Sequence, residues 1–138
     1  MKKVLMILLA AFVAASCCKT SQPETWEFDY PKEYLCGGAW STTYYFLPNG
    51  SAALCSSPEH AYAEYRFTIK FNEDGSYRST GFLGDGAGTY KAYGKTVEAV
   101  TKEKDSLCFV FSDVAGDSAV VTVVKSPGGS TWRWAISK

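Results

Sequence analysis

From residue 35 onward the chain repeats one pattern: a short run of alternating apolar and polar residues, then a turn. Tyr65-Arg66-Phe67-Thr68-Ile69-Lys70-Phe71 is the clearest run. Its period of two marks a strand with one face buried. Asn72-Glu73-Asp74-Gly75 follows, and Asp-Gly is a strong hairpin signal because both central positions tolerate positive φ. Ser76 to Phe82 then returns. Earlier, Ala39 to Leu47 is rich in Trp, Thr, Tyr and Phe, residues that suit a pleated surface, and Pro48-Asn49-Gly50 turns it. Ser51 to Cys55 reads as a short strand or a loop. Later runs cover Thr89 to Tyr93, Thr96 to Thr101, Leu107 to Phe111, Ala119 to Val124 and Thr131 to Ile136. Gly94-Lys95, Lys102 to Asp105, Ser112 to Asp117 and Ser126-Pro127-Gly128-Gly129 separate them. Helical periodicity is absent beyond one turn at Pro58 to Ala63. Short strands joined by tight turns predict an all-β fold, an antiparallel up-and-down β-barrel of about eight strands. Closure removes the exposed edges that promote aggregation.

Alternation also assigns an inward face. Trp40, Thr42, Tyr44 and Phe46 form one row, and Tyr65, Phe67, Ile69 and Phe71 another. Tyr77, Tyr90, Leu107, Phe109, Phe111, Trp132, Trp134 and Ile136 complete the set. Small barrels fill with side chains, whereas wider ones hold a ligand. Buried phenols need polar partners, so the tyrosines favour some internal space. On that basis Tyr44, Phe67, Ile69, Tyr77, Tyr90, Phe109 and Trp134 are the candidate ligand-lining residues.

The first residues carry a different message. Lys2 and Lys3 precede an apolar run from Val4 to Ala15. A basic start and a short apolar core read as a secretory signal. The run is shorter than the ~20 residues that span a bilayer. Ala14-Ala15-Ser16-Cys17 resembles the lipobox of bacterial lipoproteins. The resemblance implies cleavage after Ser16 and acylation of Cys17. Cys18 is the alternative acceptor, with an ordinary signal peptide as the competing reading. The expected organisation is a signal at 1–16, a lipid-anchored tether at 17–34 and a barrel domain at 35–138. In the tether, Trp26, Phe28 and Tyr30 alternate, so it is either an extended spacer or an edge strand or plug. The expected address is the bacterial cell envelope, anchored at the outer membrane. Surface-exported lipoproteins of Bacteroidetes carry an acidic cluster after the cysteine. Lys19 to Glu24 holds a single acid, leaving the membrane face open.

Charge and cysteine content narrow the function classes. Removing Lys2 and Lys3 with the signal takes the 14 basic side chains to 12, against 14 acidic. With no basic stripe, nucleic acid is not an expected partner. Cys36 and Cys55 flank one strand and its return and are the favoured disulfide. It would close a loop of about 20 residues, worth roughly 3 kcal/mol. Cys108 alternates with apolar residues as a buried thiol. His60 is the sole histidine and no Cys-x-x-Cys occurs, so neither a metal nor another cofactor is expected. Ser56, Ser57, Glu59 and His60 share a loop without a catalytic motif. Gly84 to Gly88 precedes a strand rather than the helix a phosphate loop requires. Asp113 and Asp117 lack calcium-loop spacing. No enzymatic activity is expected.

Gly38-Ala39-Trp40 at the start of the first strong strand is similar to the Gly-x-Trp signature of lipocalins. Trp132-Arg133-Trp134 supplies the arginine that family packs across the signature tryptophan. Phe71-Asn72-Glu73-Asp74-Gly75-Ser76-Tyr77 with Gly88-Thr89-Tyr90 resembles the hairpins of small lipocalin-like lipoproteins of Bacteroidetes. The resemblance covers about residues 35–138. It implies a barrel closed at one end by Trp40 and Arg133, with a guanidinium over the indole face. It also implies a membrane-anchored protein that binds a small hydrophobic or amphipathic ligand without chemistry. The alternative is a filled barrel acting as an accessory module for an envelope protein or glycan, with Trp26, Tyr30 and Tyr93 as contacts.

Overall fold

The computed structural model describes residues 26–138. The expected signal, with Cys17 and Cys18, lies outside the described residues. Eight strands form the wall: β2 (Trp40–Phe46), β4 (Phe67–Phe71), β5 (Ser76–Gly81), β6 (Gly86–Gly94), β7 (Thr96–Thr101), β8 (Ser106–Ala115), β9 (Ser118–Ser126) and β10 (Ser130–Ser137). Each pairs antiparallel with the next, β10 pairs with β2, and the sheet closes into an up-and-down barrel. Among the described residues four smaller elements decorate it: β1 (Glu27–Phe28), α1 (Lys32–Cys36), β3 (Ala52–Leu54) and a 3-10 turn (Ala63–Tyr65).

The turns follow from local chemistry. At the β4–β5 hairpin the Asn72 amide donates to the Ser76 carbonyl (2.8 Å), and Asp74 Oδ1 accepts from the Ser76 amide (2.9 Å). Gly75 carries the positive φ of +92° there, and Asp74 does not. The turn is therefore a three-residue loop with glycine in the left-handed position, not the two-residue turn that Asp-Gly suggests.

One bulge changes an entire face. Trp134 opposes Tyr45 and Ala135 opposes Tyr44, but Ile136 opposes Thr42, so Thr43 is the extra residue. Its hydroxyl donates to the Ala135 carbonyl (2.9 Å). An extra residue reverses alternation beyond it. Trp40 and Thr42 point inward as expected, while Tyr44 turns out and Tyr45 turns in. The expected inward Tyr44 is thereby corrected: it is 42% exposed. Phe46 also faces outward and is half-buried. Tyr65 precedes β4, in a 3-10 turn (Ala63–Tyr65), and stacks on Tyr45 at 4.3 Å.

The N-terminal segment belongs to the domain. β1 pairs parallel with the end of β6, and the Asp29 amide donates to Gly94 O at 2.7 Å. Phe28 is buried and meets Phe111 edge to face at 5.4 Å. Residues 26–34, expected within the tether, therefore plug and flank one end of the barrel. α1 completes that closed end: Leu35 is fully buried and its carbonyl accepts from Trp40 Nε1 (3.0 Å).

Candidate functional site

The residues expected to line a ligand cavity meet one another instead. Phe67, Ile69, Tyr77, Tyr90, Phe109 and Trp134 are all buried. Phe71 packs against Tyr90 at 5.0 Å and against Phe109 at 5.8 Å, both edge to face. Phe67 packs on Trp134 at 4.8 Å. Edge-to-face pairing places the positive rim of one ring on the negative face of the next and fills volume tightly. The polar tip of Tyr90 is used too, whereas Trp134 Nε1 is buried without a hydrogen-bond partner. Tyr90 Oη donates to the Asn72 carbonyl (2.7 Å) and meets Cys36 Sγ at 3.3 Å. Burial, reinforced by Cys36, raises the Tyr90 phenol far above its usual value. The space argued from buried phenols is thus occupied by a carbonyl and a thiol.

At the closed end the expected tryptophan is present but its cation differs. Trp40 is fully buried. Lys138 lies over it, Nζ 5.1 Å from the indole and 4.8 Å from the Tyr34 ring, and donates to Tyr34 O at 2.6 Å. Arg133 is exposed and covers Phe46 at 4.7 Å. Trp40 and Arg133 therefore do not form the expected pair. Arg133 is one residue from the inward Trp134, so alternation sends it outside.

The cysteines are also corrected. Cys36 and Cys55 are free thiols, buried in different surroundings. Cys36 faces Tyr90, whereas Cys55 Sγ donates to Tyr62 O at 3.3 Å. Burial pushes both thiols up, which keeps them protonated and unreactive. Cys108 is free and half-buried.

His60 Nδ1 accepts from the Ser56 amide (3.2 Å) and so shapes its loop. Asp113 and Asp117 are exposed, and Asp117 lies 3.9 Å from Lys138. Among the described residues no cluster of metal-ligating side chains occurs. Of the proposed contact aromatics, only Tyr93 is exposed; Trp26 and Tyr30 are half-buried, with Trp26 Nε1 donating to Tyr30 O (2.7 Å).

Free space lies toward the opposite, open end. One depression of about 350 Å³ sits where the β5–β6 and β7–β8 turns approach Lys125. Its floor is Tyr77, Ser79 and Leu107, and Lys102, Glu103 and Asp105 form part of its rim. A second, of about 460 Å³, opens where β2 leaves β4. Those strands pair only at Trp40–Ile69 and Ser41–Thr68; beyond this point β2 pairs with β3 instead. The cleft is lined by Ser41, Thr42, Ser56, Thr68 and Thr80, with Arg66, Glu64 and two phenylalanines, Phe67 and Phe82; the Ser41 and Thr68 hydroxyls meet at 3.5 Å, and that of Thr42 donates to the Cys55 carbonyl (2.8 Å). Gly81 shapes its edge: φ is +98°, and a Cβ there would collide with the Arg66 carbonyl. Sequence reasoning missed this cleft. Its only signal was the hydroxyl content of strands whose splaying depends on the long β2–β4 connection.

No protein-family model matches this chain, and no curated protein matches it significantly. The fold and the geometry of its open depressions therefore define the protein as an eight-stranded antiparallel barrel with a packed interior.

Proposed function

We propose that this chain is a non-catalytic binding module, tethered to the bacterial envelope through an acylated Cys17. The packed barrel is the scaffold, and the depressions at its open end are the binding surface. The location of free space carries the reading. Rings fill the interior around Phe67, Phe109 and Trp134, while about 350 and 460 Å³ lie open to solvent. These volumes suit small ligands. A ligand held there keeps one face in water. It is therefore polar or amphipathic, or the end of an envelope glycan, rather than an apolar molecule sealed inside. The Gly38-Ala39-Trp40 resemblance supports a lipocalin-like scaffold, and the basic-apolar-small leader ending at Cys17 supports the anchor.

The test combines native mass spectrometry of the protein extracted from its membrane with amide-shift mapping against envelope glycan fragments. The expected result is no stoichiometric apolar ligand, with shifts clustered at Tyr77, Ser79, Thr80 and Phe82. A lipid that co-purifies one to one beyond the acyl anchor, or shifts confined to the closed end, would overturn the reading.

A further inference from the structure

We infer that the cleft between β2 and β4 takes a small hydroxylated carboxylate, a sugar acid by chemical class, with Arg66 as its anchor. The inference deepens the binding-module reading and rests on it.

Arg66 follows the 3-10 turn in an extended conformation that places it at the cleft wall. Its backbone is fully engaged: its amide donates to Ala63 O (3.0 Å), and its carbonyl accepts from the Phe82 amide (2.8 Å). Its side chain is not. Nε is buried with no hydrogen-bond partner, and neither ion pair among the described residues includes it. Glu64, the acid in the same lining, is exposed and forms no ion pair with it. With no acceptor for it among the described residues, the guanidinium can present its two terminal nitrogens to a carboxylate in a bidentate geometry.

The surrounding groups choose among acids. Hydroxyls of Ser41, Ser56, Thr68 and Thr80 can each donate or accept, which suits a ligand carrying several hydroxyls of its own. Half-buried Phe82 supplies apolar wall for the C–H face of a sugar ring. A fatty acid would offer Ser56 and Thr80 no hydroxyl to pair with, and an inorganic anion would leave the apolar wall uncovered.

The test is calorimetric titration of the purified full-length protein with D-glucuronate and, in parallel, with D-glucose. The expected result is tighter binding of glucuronate, by about tenfold, or about 1.4 kcal/mol. Arg66→Gln removes that preference, bringing glucuronate binding down to the level of glucose; Arg66→Lys retains part of it, because an ammonium keeps charge without the fork. Thr80→Val, which leaves the arginine intact, weakens both sugars, and unchanged urea midpoints show that the variants fold. If both sugars bind equally and Arg66→Gln changes neither, the acid anchor is wrong while the open-end binding reading survives. If neither sugar binds the wild-type protein, the assignment of this cleft to sugar acids is refuted outright.

Discussion

Phe28 offers the sharpest test of how the barrel is closed. It lies seven residues before the domain boundary read from the sequence, yet only 5% of it is exposed. Its ring meets Phe111 at 5.4 Å, Tyr30 at 5.4 Å and Trp26 at 6.0 Å, all edge to face. A Phe→Ala change in a rigid core costs about 3–5 kcal/mol. Trp26 and Tyr30 are half-buried and can relax into the space, so the lower end applies, about 3 kcal/mol for Phe28→Ala. For a domain of this size that lowers Tm by roughly 10 °C. The assay is urea unfolding followed by far-UV circular dichroism, with exposed Glu27→Ala as control. The midpoint falls for Phe28→Ala at an unchanged slope and stays put for Glu27→Ala. If the Phe28→Ala midpoint equals that of the wild type, the segment is a spacer lying on the barrel and the plug does not exist.

Three further outcomes follow from the same geometry. Lys138→Ala removes the cation over Trp40 and Tyr34 and should cost about 1–2 kcal/mol, whereas Arg133→Ala, where the exposed guanidinium covers half-buried Phe46, should cost under about 1 kcal/mol; the reverse order in thermal melts would restore Arg133 as the closing residue. Tyr34, with burial as the largest cause and Tyr30 and Asp117 adding to it, is pushed up from 10.0 to about 12. Because its folded value lies above its unfolded one, its contribution is full below about pH 10 and lost as pH rises through about 12; ultraviolet tyrosinate titration with urea midpoints at pH 8 and above checks this, and unchanged stability across that window would contradict it. Alkylation without reductant should label Cys108 before Cys36 and Cys55 in the native protein and all three after unfolding; a Cys36–Cys55 peptide in a non-reducing mass map would reinstate the bridge.

Much of the architecture could be read from the chain because a strand's signal is local. Phe67, Ile69 and Phe71 alternate with Thr68 and Lys70, and the barrel buries the three apolar ones. The same rule works for Leu107, Phe109 and Phe111. It fails where pairing intervenes. Tyr44 and Tyr45 are adjacent aromatics, so composition cannot say which faces in; the extra residue at Thr43 decides it. Cys36 and Cys55 have a plausible loop length between them, but separation along the chain does not report direction or distance in space.

The sequence by itself determined an all-β meander, most of its turns and most of its inward aromatic set. These depend on side-chain periodicity and backbone preference, which each short segment carries alone. Only the tertiary structure decided that Lys138 rather than Arg133 covers Trp40, that the inner rings fill the barrel, and that a hydroxyl-lined cleft opens beside Arg66. Each of these depends on the register and divergence of strands distant in sequence, such as β2 against β10 and β2 against β4. Closing the sheet fixes that register, and no short segment encodes it.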